Sequence, residues 1–443
     1  MYAFLRKEVT NAMVTSAAPN ISVALLTGGG DRPYVFGLTT ALTPQGTMLD
    51  LIGSDELDLA EFHGNPRVNF LNLRGSHRPD ASVVSKSFRV AAYYIKLIRY
   101  AATAKPRIFH ILWNNKFEFF DRTLLMLYYR GLGKRIAFTV HNVNAGRRDG
   151  TDTSLNRLTL RIQYRLADCI FVHTEKMKGE LIDEFGVQGD RVTIIPFGIN
   201  NSLPNTSLTT LEARQRLGIG QGEKTILFFG NITPYKGLEY LVAAFKRLQA
   251  GREDYRLIIA GRPDKCEKYW GAIREDIREE VERGQILLKD MFIPDDEAEV
   301  YFKAADALVL PYTHVYQSGV LFTGQNFGLP VLAADVGSLK DDIVEGKTGF
   351  VFRPQDPEHL ASTVEQFFAS DLYANLNNRR QEIRDYATER HSWDVVGQMT
   401  INVYAKLLRS HASGKSLIGD VSSASLDVEP LHKEASANSG SAR

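Results

Sequence analysis

Residues 226–248, ILFFGNITPYKGLEYLVAAFKRL, decide the fold class that this sequence predicts. The stretch opens with an apolar run of strand length that ends at Gly230, and Thr233 followed by Pro234 is a helix-start signal. Apolar residues then recur at helical spacing: Leu238, Leu241, Val242 and Phe245. The pattern predicts a buried strand, a tight polar turn and a helix that begins at Lys236. Phosphates bind at such turns in open α/β sheets, because backbone N–H groups are exposed there.

An ordinary βα turn with an exposed lysine would show the same pattern, so the exact amino-acid sequence of the segment is needed to distinguish the two. Residues 228–245, FFGNITPYKGLEYLVAAF, closely resemble the start of the donor-binding domain in retaining family 4 glycosyltransferases of the GT-B architecture. These enzymes move a sugar from a nucleotide diphosphate donor. At the positions of Asn231 and Lys236, their usual pattern has an arginine and a lysine, both directed at the donor diphosphate. The resemblance implies a donor site that keeps one of two cations.

Composition limits the class of protein. The 443 residues are 44% hydrophobic and 24% charged, which is typical of a globular chain long enough for two domains. The net charge of +1 argues against a nucleic-acid partner bound through bulk charge. Cys169 and Cys266 are too few and too scattered for a disulfide framework or a zinc site. Residues 1–20 lack a signal-peptide core, so we expect a cytoplasmic protein, free or attached to the cytoplasmic face of a membrane.

Residues 82–104, SVVSKSFRVAAYYIKLIRYAATA, combine basic charge with apolar area. Lys86, Arg89, Lys96 and Arg99 alternate with aromatic and aliphatic residues, as in helices that lie on membranes. A crossover helix that packs on a sheet and has a solvated basic face fits the same pattern. The sequence leaves both interpretations open, a buried crossover helix and a peripheral membrane contact.

A glycine-rich turn follows the first predicted strand. Residues 21–27, ISVALLT, lead into Gly28, Gly29 and Gly30, and a helix is predicted over residues 34–42. Glycines permit positive φ angles and close approach to a ligand, although GGGDRP is not the GxGxxG fingerprint. Family 4 members carry a glycine-rich loop that faces the donor diphosphate and the acceptor. The resemblance implies that Gly29 and Gly30 contact the donor.

Strands and helices alternate along the chain. Strands are further predicted at residues 48–52, 68–73, 108–113, 136–140, 169–173, 192–195, 226–229, 257–260, 286–288, 307–310, 331–333 and 349–352. In the second half, helical patterns occupy residues 238–249, 267–283, 296–304 and 358–368. This alternation is expected of doubly wound parallel sheets.

The turn-rich segment 196–207 divides the chain into two halves. We predict an α/β protein of GT-B type, in which two Rossmann-like doubly wound domains, residues 1–200 and 201–391, face each other across a cleft. Residues 392–409 resemble the family's last helix, a crossover helix that packs back on the first domain. Residues 410–443, rich in Ser, Ala and Gly, are predicted to form a disordered tail.

Three histidines lie in or directly after predicted strands. Residues 136–140 lead into His141 and Asn142, and an imidazole there could donate to a sugar hydroxyl or to the departing phosphate. Family 4 keeps a His-Asp or His-Asn pair after the matching strand, close to the transferred sugar. The resemblance implies a catalytic role for His141, whereas His110 and His173 are expected to be structural.

The second half departs from the family pattern at the two glutamate positions that precede residues 328–331. Relatives carry two glutamates with the spacing of Gln317 and Gln325, and then a Gly-x-Pro-Val motif, which is present here at residues 328–331. The spacing places those two glutamines at the glutamate positions. The ungapped register from the motif places Val315 and Thr323 there instead. Neither register leaves an acid.

The missing acids restrict the mechanism. An amide cannot act as a carboxylate nucleophile or base, so a covalent glycosyl-enzyme at this position is disfavoured. Front-face displacement stays open, in which an oxygen of the leaving diphosphate takes the acceptor's proton. At ~4 Å and an effective dielectric of about 20, the Lys236 ammonium would stabilise the diphosphate by roughly 4 kcal/mol before desolvation.

A helix N-terminus is predicted to assist this lysine. Backbone N–H groups that open the helix would bind the diphosphate, and side chains one turn further on would hold the ribose hydroxyls. The predicted donor-binding residues of this segment are Gln317, Ser318, Gly319, Val320, Thr323 and Gln325. No metal cluster is visible in the sequence, so we expect no metal and no cofactor beyond the nucleotide sugar donor.

The residues and the resemblance together predict a retaining transferase. It would move a sugar from a nucleotide diphosphate sugar to a saccharide or lipid-linked acceptor in polysaccharide or glycoconjugate biosynthesis. Two alternatives stay open: a catalytically silent GT-B protein that binds a nucleotide sugar, and a GT-B sugar-nucleotide epimerase that needs no acceptor.

Overall fold

The structure, a computed structural model, describes residues 21–76, 83–199, 203–250 and 254–412. Two parallel β-sheets organise these residues, one in each half of the chain. This is the predicted pair of Rossmann-like domains. The predicted boundary between residues 200 and 201, and the part of the predicted tail beyond residue 412, lie outside the described residues.

The first sheet has seven strands in the order β3-β2-β1-β4-β5-β6-β7. They are β1 (Ser22–Leu26), β2 (Met48–Gly53), β3 (Val68–Asn72), β4 (Ile108–Ile111), β5 (Arg135–Thr139), β6 (Cys169–Val172) and β7 (Val192–Ile194). Along β1, Val23 and Leu25 join the core on one face of the sheet, and Ala24 and Leu26 join the core on the other. Because both faces are buried, the strand is a continuous apolar run.

Helices cover both faces of this sheet. They are α1 (Arg32–Leu42), α2 (Ala60–His63), α3 (Val83–Thr103), α4 (Glu118–Phe120), α5 (Met126–Gly131), α6 (Ala145–Arg148), α7 (Ser154–Leu166) and α8 (Glu175–Phe185). A π-helical turn, Asp121–Leu125, joins α4 to α5. The helix predicted over residues 82–104 is α3, and its residues Tyr93 and Leu97 pack in the core of the first sheet.

The second sheet has six strands in the order β10-β9-β8-β11-β12-β13. They are β8 (Lys224–Phe229), β9 (Tyr255–Ala260), β10 (Ile286–Lys289), β11 (Ala307–Leu310), β12 (Val331–Ala334) and β13 (Gly349–Phe352). Its helices are α9 (Thr210–Leu217), α10 (Leu238–Gln249), α11 (Glu267–Asp276), α12 (Arg278–Glu282), α13 (Asp295–Ala304), α14 (Gly319–Asn326), α15 (Pro357–Phe368), α16 (Asp371–Ala374) and α17 (Leu376–His391). Helix α10 has the bounds predicted from its helical spacing, residues 238–249, and does not begin at Lys236. The helix predicted over residues 267–283 is two helices, α11 and α12.

Each sheet reverses its strand order beside its first strand. Strand β1 lies between β2 and β4, and β8 lies between β9 and β11. Ligands of open α/β sheets bind outside the carboxyl ends of the strands at such points. The turns that leave these two strands carry Gly28 and Lys236, so the topology directs attention to the same two turns as the sequence does.

Helix α18 (Trp393–Ala412) leaves the second half and packs on α1 of the first half. Its Tyr404 hydroxyl lies 2.6 Å from His110 Nδ1, and the other ring nitrogen of His110 lies 2.8 Å from the Thr139 hydroxyl. Burial lowers the pKa of His110 to about 3, so the ring is neutral. The structural role predicted for His110 is confirmed, and the crossover helix has the predicted partner.

We expect Gly37→Ala to destabilise the protein, because α18 leaves no room on α1 at this position. A Cβ on Gly37 would lie 2.0 Å from the Trp393 ring. Overpacking of this kind lowers the free energy of unfolding by about 1–3 kcal/mol, which urea titration measures. Gly179→Ala in α8 is the control, since a Cβ there meets nothing within 4 Å and should stabilise by about 0.5–1 kcal/mol. Unchanged stability of Gly37→Ala would contradict the packing of α18 on α1.

Candidate active site

A cavity of about 370 Å³ lies between the two halves of the protein. Asp31 and Tyr34 at the start of α1 form one wall, and Phe197 of the connecting segment forms another. The second half contributes the turn after β8 and the start of α14, together with residues that follow β9 and β10. The contributing residues used below are Gly230, Asn231, Arg262, Phe292, Gly319, Val320 and Thr323.

Two glycines shape the turn after β8. Gly230 has a φ of 97° and Gly237 a φ of 65°, angles that favour glycine. A Cβ on Gly237 would lie 2.1 Å from the Pro311 carbonyl oxygen, so the turn packs too closely for a side chain there. Between the glycines, Pro234–Lys236 forms a single 3₁₀ turn. The Lys236 side chain is thereby held inside the protein.

The Lys236 ammonium is buried beside this turn. The residue is 7% exposed, and its Nζ lies 5.7 Å from the centre of the Tyr312 ring. A Cβ on Gly230 would lie 3.0 Å from Nζ. Burial lowers the pKa of Lys236 to about 8, and in the described part of the chain no carboxylate forms an ion pair with it. A buried cation without a counter-ion is costly, so this site favours an anionic ligand.

The N-terminus of α14 lies beside the same glycine. A Cβ on Gly230 would be 3.5 Å from Val320 Cγ2, and Gly319 and Val320 both line the cavity. The Ser318 side chain forms no capping hydrogen bond with this helix. The positive end of α14 and the Lys236 ammonium therefore border the same space around Gly230.

The structure distinguishes the two registers before Gly328. Thr323 lines the cavity, whereas Gln325 is fully buried and its Nε2 donates to the Asp342 carbonyl oxygen over 2.8 Å. Gln317 does not line this cavity, and its amide donates to the Asp342 carboxylate over 3.2 Å. The donor contact predicted for Gln325 is wrong, because its side chain is enclosed in the protein interior. The ungapped register, which contains Thr323, is the one that reaches the cavity.

Asp342 is a buried acid whose partners the sequence did not indicate. It ends a short 3₁₀ turn, Leu339–Asp342, and its carboxylate lies 3.3 Å from His391 Nε2. His391 Nδ1 lies 3.1 Å from the Phe197 carbonyl oxygen. A carbonyl oxygen can only accept, so His391 donates to Phe197 through Nδ1. The pair links the connecting segment to Gln317, just before α14.

His141 follows β5 and lies in a cluster of aromatic rings. It stacks on Trp113 with ring centres 4.1 Å apart, and its Nδ1 lies 3.3 Å from His173 Nε2. His173 Nδ1 lies 3.2 Å from the Ile195 carbonyl oxygen, which can only accept a hydrogen bond. Burial lowers the pKa of His173 to about 4 and that of His141 well below its ordinary value, so both rings are neutral at pH 7.

These contacts fix the hydrogen positions on His141. His173 donates through Nδ1 and accepts through Nε2, so His141 donates through Nδ1 and keeps Nε2 as an acceptor. The donor role predicted for His141 changes accordingly to acceptance from a hydroxyl. Nε2 is covered and has no hydrogen-bond partner in the described residues. A ligand hydroxyl that reached it would relieve the cost of an unsatisfied polar atom.

An arginine covers the glycine turn after β1. Arg74 Nη1 donates to the Gly28 carbonyl oxygen over 2.6 Å, and a Cβ on Gly29 would lie 2.0 Å from the same nitrogen. A Cβ on Gly30 would lie 2.0 Å from the Trp113 ring. Gly29 and Gly30 therefore make room for two side chains and do not line the cavity. Arg74 follows β3 with no motif around it, so only the fold reveals this neighbour.

Comparison with known proteins agrees with this geometry. The family described as Glycosyltransferase Family 4 matches residues 28–203, and the family described as Glycosyl transferases group 1 matches residues 223–370. The two matches cover both sheets. This chain belongs to the family 4 glycosyltransferases of the GT-B architecture.

Its relatives by sequence are distant. The glycosyltransferase is 24% identical over 390 residues to an uncharacterized glycosyltransferase of Methanocaldococcus jannaschii. That match spans 85% of this chain and 94% of the relative. It is 27% identical over 250 residues to a D-inositol 3-phosphate glycosyltransferase of Corynebacterium urealyticum. That match spans 54% of this chain and 57% of the relative.

Solved structures share the fold of this glycosyltransferase. Sucrose-phosphate synthase from Thermosynechococcus elongatus superposes with a TM-score of 0.71 at 18% identity, over 88% of this chain and all of that one. Anabaena HepE in complex with UDP and glucose superposes with a TM-score of 0.67 at 15% identity, over 87% of this chain and all of that one. At these identities the likeness concerns the fold alone.

Three further residues of the glycosyltransferase line the cavity: Asn231, Arg262 and Phe292. Asn231, in place of the family's arginine, lines the cavity without adding charge. Arg262 and Phe292 were not predicted, and the Arg262 guanidinium lies 5.8 Å from the Phe292 ring centre. They follow β9 and β10, and only the strand order shows that these strands end near Lys236.

Within residues 21–76, 83–199, 203–250 and 254–412, no cluster of His, Cys, Asp or Glu could hold a metal ion, and no helix could span a membrane.

Lys236→Met should stabilise the glycosyltransferase against unfolding. Below pH 8 the folded chain holds a charged ammonium that water solvates better in the unfolded chain, where its pKa is 10.5. This cost disappears as the pH rises from 8 to 10.5. The variant should therefore raise the free energy of unfolding by up to about 3 kcal/mol at pH 7, and by less at pH 10.

Urea titration at both pH values measures this difference. Lys347→Met removes an exposed lysine and should change stability by no more than about 0.5 kcal/mol. Equal stability of Lys236→Met and the wild type at pH 7 would mean that the ammonium is solvated.

Proposed function

We propose that this glycosyltransferase moves a sugar from a nucleotide diphosphate sugar to a saccharide or lipid-linked saccharide, with retention of configuration. The observation that carries the proposal is the buried Lys236 ammonium, which lacks a carboxylate partner in the described residues and borders the N-terminus of α14. The diphosphate of an activated sugar is the anion that such a site suits. Polysaccharide or glycoconjugate biosynthesis in the cytoplasm is the setting that we propose for it.

Front-face displacement is the mechanism that these residues support. The bond from the sugar's anomeric carbon to the diphosphate breaks, and the bond to the acceptor oxygen forms on the same face. The acceptor proton passes to an oxygen of the departing diphosphate. Lys236 and the α14 amides stabilise that oxygen's charge, with roughly 4 kcal/mol from the ammonium at ~4 Å and an effective dielectric of about 20.

Asp342 supports this mechanism by its position. Its carboxylate accepts from Gln317 and faces His391, and it does not line the cavity. A covalent glycosyl-enzyme would need an unhindered carboxylate beside the anomeric carbon. We therefore assign Asp342 to positioning the loop before α14.

His141 is the residue that we propose for the transferred sugar. Its Nε2 would accept a hydrogen bond from a sugar hydroxyl and orient the ring for attack. Because Lys236 and helix amides meet the diphosphate charge, we propose that transfer needs no bound metal ion. An unchanged rate in EDTA would agree with this proposal.

The nucleoside is proposed to occupy the cavity between the halves. Thr323 offers a hydroxyl to the ribose, and Arg262 and Phe292 offer a cationic and an aromatic surface to the base. HepE, which shares the fold, is described in complex with UDP-glucose. UDP-glucose is therefore the first donor to test, followed by GDP- and ADP-sugars.

The test is a thermal-shift screen of these donors, followed by assays of nucleotide release and of the product's anomeric configuration by NMR. A donor at 100 times its dissociation constant should stabilise the protein by about 2.7 kcal/mol. Lys236→Ala should lower the transfer rate about a thousandfold, the equivalent of roughly 4 kcal/mol, whereas Lys347→Ala should not.

Three other outcomes would contradict the proposal. Donor binding without any release of nucleoside diphosphate would indicate the silent protein. Free sugar inverted at its second carbon would indicate the epimerase. An inverted anomeric centre in the product would exclude front-face displacement.

A further inference from the structure

A tyrosine of the second half is buried in the core of the first half. Tyr316 lies in the segment that joins β11 to α14, and it is 6% exposed. Among the buried residues that the structure describes for the core on the Ala24 face of the first sheet, Tyr316 alone comes from the second half. Because a packed core leaves little room for displacement, such a ring fixes its own segment to the other half.

The hydroxyl of this ring is held by a carboxylate of α8. Tyr316 donates to Glu180, and the other carboxylate oxygen of Glu180 accepts from Arg147 of α6 over 2.9 Å. Burial raises the pKa of Tyr316, and the Glu180 carboxylate raises it further, so the hydroxyl keeps its proton. A hydrogen bond to a carboxylate is roughly twice as strong as one between neutral groups. The two halves are therefore joined here by a directed polar contact as well as by apolar packing.

The backbone of Tyr316 is held by the second half. Its carbonyl oxygen accepts from the Ser338 N–H over 2.9 Å, and the next residue, Gln317, donates to the Asp342 carboxylate. Helix α14, whose N-terminus borders the space around Gly230, begins directly after this segment. The segment that leads into α14 is thus fastened to the first half through one side chain.

The turn that carries Lys236 contacts the same region of the first half. The Arg148 guanidinium, at the end of α6, lies 5.0 Å from the centre of the ring of Tyr235, the residue before Lys236. The Tyr235 carbonyl oxygen accepts from the Thr313 N–H over 2.8 Å, so this turn is bonded to the segment before α14. Helix α6 follows the loop that carries His141. Both groups proposed for the diphosphate therefore adjoin helices next to the residue proposed for the sugar.

We propose that Tyr316 is a positioning residue for sugar transfer, through its hydrogen bond to Glu180. The second half would hold the nucleoside and the diphosphate, whereas His141 of the first half would hold the transferred sugar. The Tyr316 contact keeps these two parts of the site at the distance at which one donor molecule meets both. This role rests on the proposed function, which assigns the sugar to His141. Tyr316 itself does not line the cavity.

Tyr316→Phe removes the hydrogen bond and keeps the ring. We expect kcat to fall about tenfold, because the loss of a hydrogen bond to a charged group leaves the two halves less firmly aligned. The Kd of the nucleoside diphosphate that binds best should stay within about twofold of the wild-type value, because the contacts proposed for it lie in the second half.

Tyr129→Phe is the matched control. The Tyr129 hydroxyl is buried in the same core and has no hydrogen-bond partner in the part of the chain that the structure describes. This variant should keep the wild-type kcat. An equal fall in kcat in the two variants would mean that any change in the core slows transfer, and it would overturn the positioning role.

Glu180→Ala removes the same bond from its other end. The double variant Tyr316→Phe/Glu180→Ala should be no slower than Glu180→Ala alone, because the two substitutions remove one interaction. Losses in kcat that multiply would show that the two residues act independently and would contradict the proposal.

Hydrogen exchange of the free protein separates this inference from the proposed function, because it needs no donor. The N–H groups of residues 312–323 should exchange about tenfold faster in Tyr316→Phe than in the wild type, and those of β9 should not change. Equal exchange over residues 312–323, or an unchanged kcat, would overturn the inference. Faster exchange in a protein whose wild type transfers no sugar would contradict the proposed function and leave Tyr316 as an anchor of this segment alone.

Discussion

The arrangement of this protein depends on an ammonium that is buried without an opposite charge in the described residues. Lys236 is enclosed by the Tyr312 ring and by the backbone at Gly230. Burial alone lowers its pKa to about 8, which is a free-energy cost to the folded chain. Proteins retain such costs mostly at functional sites. The cost is understandable if a ligand supplies the missing negative charge.

The rest of the second half keeps that lysine in position. Strand β8 ends at Phe229, and the left-handed Gly237 returns the chain into α10 against Pro311. Helix α14 begins beside Gly230 with its positive end towards the same space. Behind this helix, Asp342 links Gln317 to His391 and so to the connecting segment. These contacts join the loop before α14 to the segment that connects the two halves.

Local sequence pattern was sufficient for the fold. The strands of both sheets lie where short apolar runs meet glycine or polar turns, and α10 has the predicted end at Gln249. The helical spacing gave the observed start of α10 at Leu238, whereas the helix-start signal placed it at Lys236, because Pro234–Lys236 forms a separate 3₁₀ turn. The turns at Gly28 and Lys236 were found because each follows a predicted strand, and ligands of open α/β sheets bind at the carboxyl ends of strands.

The side-chain partners in the site could not be predicted in the same way. Gln325 and Thr323 both suited the sequence pattern, and only the rotation of α14 shows that one is buried and the other lines the cavity. Arg74 and Asp342 come from turns without a motif, and their roles depend on contacts across the fold. Tertiary contacts of this kind have no signature in local periodicity.

A crystal structure of the protein with a nucleoside diphosphate would show whether the Lys236 ammonium meets the diphosphate. We expect an oxygen of the β-phosphate about 3 Å from Lys236 Nζ, with the α14 N-terminus on its other side and the ribose at Thr323. A diphosphate bound elsewhere, with Nζ still enclosed against Tyr312, would contradict it.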